Sequence, residues 1–137
     1  MGRDQILLAF KKRFKKLSRR YNKLFKNFNS DNIHHFRVEI KKLRAFIRFI
    51  NFSLPDQKLK IPKKLKSFYC ATGEIRNLQL HEQKIEKLSA DLPFEKPVHY
   101  LTEIRQEKKS KEKKAKKMAT KTSLKDLDKN LHDKVAE

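Results

Sequence analysis

Apolar residues recur at steps of three and four over most of this chain, the period of a helix with one buried face. Leu7, Phe10, Phe14, Leu17, Tyr21, Leu24 and Phe28 follow it without a miss, which predicts a first helix over residues 4–28. Asn29, Ser30, Asp31 and Asn32 are cap and turn formers and should end it. Ile33, Phe36, Ile40, Leu43, Ile47 and Ile50 then mark a second helix that reaches about Phe52. So short a connection makes the two helices antiparallel neighbours. Leu54, Pro55 and Asp56 break the pattern, and a loop runs to Pro62, a residue suited to the first turn of a third helix. Leu65, Phe68, Thr72, Ile75 and Leu78 form the core face of that helix. It is expected to continue past Gly73, through Ile85 and Leu88, to about Ser89. A glycine inside a helix costs about 1 kcal/mol against alanine. Close helix approach or room for a ligand is therefore expected at Gly73.

Residues 91–97 break the pattern again, and a fourth helix opens with Val98, Leu101 and Ile104 inward. Its apolar stripe then nearly vanishes. Residues 105–121 hold nine basic and two acidic side chains, with only Ala115 and Met118 as apolar steps. This half is expected to project from the core or to fray. Leu124, Leu127 and Leu131 follow at helical spacing behind Ser123, the expected cap of a short last helix over residues 123–136. The pattern predicts an all-α protein: an antiparallel four-helix bundle over residues 1–122, with a short C-terminal helix over 123–137. Long helices on so small a core leave an apolar edge, which favours self-association or docking to a second domain.

Charge changes the picture. Lys and Arg number 36 against 16 Asp and Glu, a formal net charge of +20. Such an excess repels itself and calls for an anionic partner: nucleic acid, an anionic membrane surface or a polyanion such as polyphosphate. Two Gly, four Pro and no Trp argue against a sheet-rich or loop-rich fold. The single Cys70 offers no disulfide framework and reads as a half-buried small residue on a helix in a reducing compartment. The first residues show no signal-peptide pattern, and no run approaches the roughly 18 apolar residues of a membrane span. A cytoplasmic location is the expectation.

The second helix carries two stripes. His34, Arg37, Lys41, Arg44 and Arg48 repeat the apolar spacing one position later, about a quarter-turn around the helix. One helix thus shows oil to a core and a single line of cations along its rim. Positions 37, 41, 44 and 48 place a cation about every 5 Å, comparable to a few bridged phosphates. Arg grips phosphate oxygens in a fork, and Lys acts as a point charge. Arg76, one position after core residue Ile75, faces the same rim from the third helix, and Lys66 is a further candidate. His34 donates a hydrogen bond to phosphate more strongly when protonated, which predicts tighter binding at mildly acid pH. Lys42 projects away from this line. On the first helix Arg13, Lys16, Arg20 and Lys23 form another basic stripe, read as solvated flanks of the core face.

The second helix resembles the first signature of the CHAD family, the conserved histidine α-helical domain that binds inorganic polyphosphate. That signature is an aliphatic residue and His, then Arg-Val, two basic residues, Leu and Arg. Here it is Ile33-His34, Arg37-Val38 and Lys41-Lys42-Leu43-Arg44. A second signature, Gly followed three residues on by Arg-Asp and then another Asp, is matched at Gly73 and Arg76 and departs at Asn77 and Gln79. The family is built from two four-helix bundles in tandem, and this chain resembles one of them over roughly its first 90 residues. The resemblance implies polyphosphate binding by His34, Arg37, Lys41, Arg44, Arg48 and Arg76, and a homodimer that rebuilds the double bundle. It also implies a place at polyphosphate deposits.

Catalysis finds little support: no Asp-rich or Glu-x-Glu cluster to hold Mg²⁺, no Gly-rich phosphate loop and no nucleophile with a placed base. His35 with Glu39, and His99 with Glu103, have i,i+4 spacing without further ligands, so no metal and no cofactor are expected. The reading is a non-catalytic binding or targeting module. A non-specific RNA- or DNA-binding protein, using the Lys-rich stretch at 105–121, is the alternative. A membrane-surface or helix-partner role for the first helix is a third, though its seam is better used as core.

Overall fold

The computed structural model describes residues 2–55, 58–93, 95–119 and 121–136, the side chains of 121–123, 131, 132 and 134–136 excepted. Five helices follow one another: α1 (Arg3–Lys26), α2 (Ser30–Ser53), α3 (Lys63–Asp91), α4 (Val98–Met118) and α5 (Lys121–Ala136). No strand occurs among the described residues. The expected Asp56 break lies outside the described residues, as do the side chains of Ser123 and Leu131.

α1 and α2 form one antiparallel hairpin, α3 and α4 a second, and α2 packs on α3 between them. The turn between α1 and α2 is tight because polar side chains satisfy its backbone. Asn29 Oδ1 accepts from the Asn32 N–H at 2.8 Å, and Asn32 Nδ2 donates to the Asn27 carbonyl at 2.9 Å. α1 ends two residues sooner than its apolar stripe, but Phe28 in the turn is still buried. The core is largely the expected one: Phe10, Leu17, Tyr21, Leu24, Ile33, Phe36, Ile40, Leu43, Ile50, Leu65, Phe68 and Ile75 are all buried. Tyr21, Phe36 and Phe68 meet edge-on or tilted at its centre, with ring centroids 5.4–6.1 Å apart. On α1 the buried position is Ile6, with Leu7 packed beside it. α5 adds Leu124 and Leu127 to the same core and packs on α1 and α3.

Five expectations are corrected, the first being Val98, which is expected inward and is instead exposed. α3 is one continuous helix through Gly73, but at its upper end Gln79, not Leu78, takes the buried position, and its Nε2 donates to the Phe28 carbonyl at 3.2 Å. The Lys-rich half of α4 neither projects nor frays. Lys108 meets Glu82 at 3.0 Å, Lys111 meets Glu74 at 3.1 Å, and Ala115 is fully buried. Glu74, Glu82 and Glu86 present α3 carboxylates to α4, so charge replaces the missing apolar stripe. What extends past the bundle is the other end of this hairpin. α3 runs on beyond Gln83, which bonds Ser30 at the start of α2, and there Leu88, Leu92, Val98 and Tyr100 are exposed, as is Leu80 just before it. Cys70 is exposed rather than half-buried. Finally, α5 begins at Lys121, so Ser123 lies inside it and is not its cap.

Candidate functional site

The rim between α2 and α3 is built from both helices. α2 contributes Arg37, Lys41, Arg44 and Arg48, and α3 contributes Lys66, Tyr69, Gly73 and Arg76 at the same helical spacing. Because the helices are neighbours, the two lines face each other.

Arg37 is fastened across the seam. Its Nη1 donates to the Tyr69 carbonyl at 2.6 Å and to Thr72 Oγ1 at 3.2 Å. Its guanidinium carbon lies 4.0 Å from the centre of the Tyr69 ring. Thr72, fully buried, donates its own hydroxyl to the Tyr69 carbonyl at 2.7 Å. This arrangement explains Gly73. A Cβ there would meet Arg37 Nη1 at 2.8 Å and Cζ at 3.1 Å. The glycine is present for the close approach of a guanidinium, since its own backbone is ordinary helix. Arg44 reaches the same aromatic ring, its guanidinium carbon 4.8 Å from the centre. Tyr69 thus organises two arginines at once through cation–π contact.

At the upper end of the rim Arg76 crosses to α2, where its Nη1 donates to Ser30 Oγ. At the lower end the rim opens into a groove of about 550 Å³. Arg44, Arg48, Lys60, Lys63 and Lys66 line it over a floor of Ile47 and Ile61. The loop that carries Lys60 is held in place by Asn51. That side chain donates Nδ2–H to the Leu59 carbonyl at 2.9 Å and accepts the Leu59 N–H on Oδ1 at 2.7 Å. Leu59 itself is buried in the core. Among the described residues, no carboxylate pairs with Lys41, Arg44, Arg48, Lys60, Lys63 or Lys66.

The structure therefore brings Arg37 and Arg44 together on Tyr69, joins Arg44 to Arg48 and Lys66 in the groove, and ties Arg76 to the start of α2. Lys41 is exposed between Arg37 and Arg44 on the helix. His34 is exposed at the upper end of the stripe, its ring centroid 5.8 Å from that of His35, and nothing fastens it to Arg37. Sequence reasoning missed Tyr69, Lys60 and Lys63. Tyr69 carried a usable signal, because it follows core residue Phe68 by one position, as the α2 cations follow theirs. Lys60 and Lys63 sit where the apolar period is broken, so only the folded loop brings them to Arg48.

By contrast the cations of α4 are partly spent. Arg105 pairs with Glu86 at 2.9 Å and with Glu82 at 3.4 Å, and Lys108 and Lys111 are paired as above. The Glu82 carboxyl feels partial burial, which raises it, but hydrogen bonds and charge from Lys108 and Arg105 outweigh this and hold it below its ordinary value. No three of the described His, Cys, Asp and Glu side chains gather in a way that would hold a metal ion. No helix of the described residues is long and apolar enough to cross a membrane.

The described residues form a basic, all-α helical bundle whose α2–α3 rim carries cations with no described carboxylate beside them. The sequence model of the CHAD domain matches residues 8–137, nearly the whole chain, and the protein belongs to that family. The match extends through α5, well past the two signatures. No curated protein and no solved structure matches the chain.

Proposed function

We propose that this protein binds inorganic polyphosphate along the α2–α3 rim, as a binding or targeting module without catalytic activity of its own. The observation that carries the reading is the lower groove, where five cations meet with no carboxylate among the described residues that line it. Membership of the CHAD family, generally linked to polyphosphate, supports the choice of polymer. Polyphosphate carries roughly one charge per phosphate and no bases, so it needs a line of cations and no stacking platform. Lys41, Arg44, Arg48, Lys60, Lys63 and Lys66 form the line, Arg37 and Arg76 act from positions held against α3 and α2, and His34 closes its upper end. His34→Asn should weaken polyphosphate binding, and an unchanged affinity would remove His34 from the site.

The test is a competition titration at about 0.15 M salt, where exposed charges are well screened. Labelled polyphosphate is displaced by unlabelled polyphosphate or by single-stranded DNA of equal charge. Preference for polyphosphate, lost in Lys41→Gln/Arg48→Gln/Lys63→Gln, is the expected result. Equal displacement by DNA would move the reading to non-specific nucleic-acid binding. That alternative has less support, because three of the basic side chains in the 105–121 stretch already pair with α3.

A homodimer is part of the same proposal. The exposed Leu80, Leu88 and Val98 on the extended α3–α4 hairpin are what favours it. Sedimentation at micromolar concentration should give twice the 16.4 kDa chain mass, and Leu80→Lys/Leu88→Lys should return the single-chain mass. A cytoplasmic location at polyphosphate deposits is the matching expectation, read by microscopy of the tagged protein.

A further inference from the structure

On the other side of α2 lies a second groove, along the outer seam between α1 and α2. It has a volume of about 470 Å³; Ala9 and Phe46 line it with Lys12, Arg13, Lys15, Lys16 and Arg19. Phe46 is two residues from both Arg44 and Arg48, about 200° around the helix, so this surface and the phosphate rim face apart.

We propose that this seam docks an acidic amphipathic helix of a partner protein. Two features together select that occupant. The first is the floor. Phe46 rests on Phe10, with centroids 6.3 Å apart, and next to it Phe49 is partly exposed, with centroids 6.5 Å apart. Ala9, the smallest side chain of the lining, leaves room for another backbone to come close. A phosphate polymer or a nucleic-acid backbone makes no use of such a floor, whereas the apolar stripe of a helix does. The second feature is the border. Lys12, Lys16 and Arg19 rise about one turn apart along α1, with Lys15 beside Lys16, matching carboxylates at i and i+4 on an approaching helix. Among the described residues none of these four pairs with a carboxylate. The acid at this seam, Glu39, is 8% exposed and already serves Arg13 at 3.7 Å and Lys42 at 3.8 Å. The border charge is therefore left for something outside the chain.

The experiment uses the full chain and a labelled synthetic peptide of 18 residues, with Leu at three- and four-residue steps flanked by Glu. Fluorescence anisotropy at about 0.15 M salt should show saturable binding, and circular dichroism a gain in peptide helix. A peptide of the same composition, scrambled to break the period, should bind at least tenfold more weakly. Lys12→Gln/Lys16→Gln/Arg19→Gln should weaken the ordered peptide at least tenfold and leave polyphosphate affinity nearly unchanged. Lys41→Gln/Arg48→Gln/Lys63→Gln should do the reverse. Both variants change only exposed or border charges, and an unchanged helical spectrum checks each fold. Equal binding of the scrambled peptide overturns the proposal, leaving charge alone. So does an equal loss in the two triple variants. Binding to phosphatidylglycerol vesicles that the α1 variant abolishes, with no binding of the peptide, also overturns it in favour of lipid. Failure of polyphosphate to bind leaves the proposal standing, because the two surfaces are tested by separate ligands and separate variants.

Discussion

At the scale of single residues, Arg37 and Gly73 are one feature seen from two helices. Arg37 gives up part of its hydrogen-bonding capacity to the Tyr69 carbonyl and Thr72 hydroxyl, and gains a fixed plane on the Tyr69 ring. A flexible arginine loses rotamer freedom when it binds a polymer, and one already stacked has less to lose. The pairing can be measured as a cycle. Gly73→Ala alone should bring little or no gain in stability, because the new methyl displaces the guanidinium and offsets the helix preference of alanine. In the Arg37→Ala background the same change should stabilise by about 1 kcal/mol. Denaturant titration of the four proteins reads the difference, and equal effects in both backgrounds would show that Arg37 and Gly73 are uncoupled.

Elements are joined here by polar devices as much as by oil. The loop before α3 is bound to α2 through the amide of Asn51, which satisfies both backbone groups of Leu59. Asn51→Ala should cost about 1–3 kcal/mol by leaving those groups unpaired. It should also weaken polyphosphate binding, because Lys60 then leaves the groove. An affinity unchanged beside a lowered stability would place Lys60 outside the site. The α3–α4 hairpin depends on charge. A carboxylate held below its ordinary value stabilises the fold above the unfolded-state value, near pH 4.3, and that contribution disappears as pH falls through the folded value. Glu82→Gln should therefore be less stable than the unaltered protein at pH 7, with the gap closing as pH drops below about 4. Melting curves across that range check both the sign and the window.

For the whole molecule, a net charge of +20 would bind any polyanion at low salt. What separates a site from a sticky surface is how binding responds when particular charges are removed. Neutralising one side chain that touches phosphate should lower the slope of log affinity against log salt by roughly 0.7. Lys41→Gln/Arg48→Gln/Lys63→Gln should thus reduce that slope by about 2. The charge-matched Lys109→Gln/Lys113→Gln/Lys114→Gln on α4 should leave it nearly unchanged. Equal reductions would mean that polyphosphate is held by the overall field rather than by the rim.

The helices, their order and most of the core follow from the sequence alone. A three- and four-residue apolar period needs only a single neighbouring surface to be satisfied, and Phe10, Leu17, Ile40 and Ile75 are buried where that period puts them. The α2 cation stripe was legible for the same reason, as a line fixed by the geometry of one helix. Other features depend on two segments meeting. The basic half of α4 docks because Glu74 and Glu82 lie on a different helix, and no periodicity within α4 records them. Gly73 signals only that something comes close, and the folded chain identifies it as the guanidinium of Arg37. Tyr69 becomes a platform when two arginines arrive from α2, and Lys60 joins the groove when Asn51 holds its loop. Local spacing determined which side chains share a face. Only tertiary packing decided which charges are neutralised between helices and which stay open to a ligand.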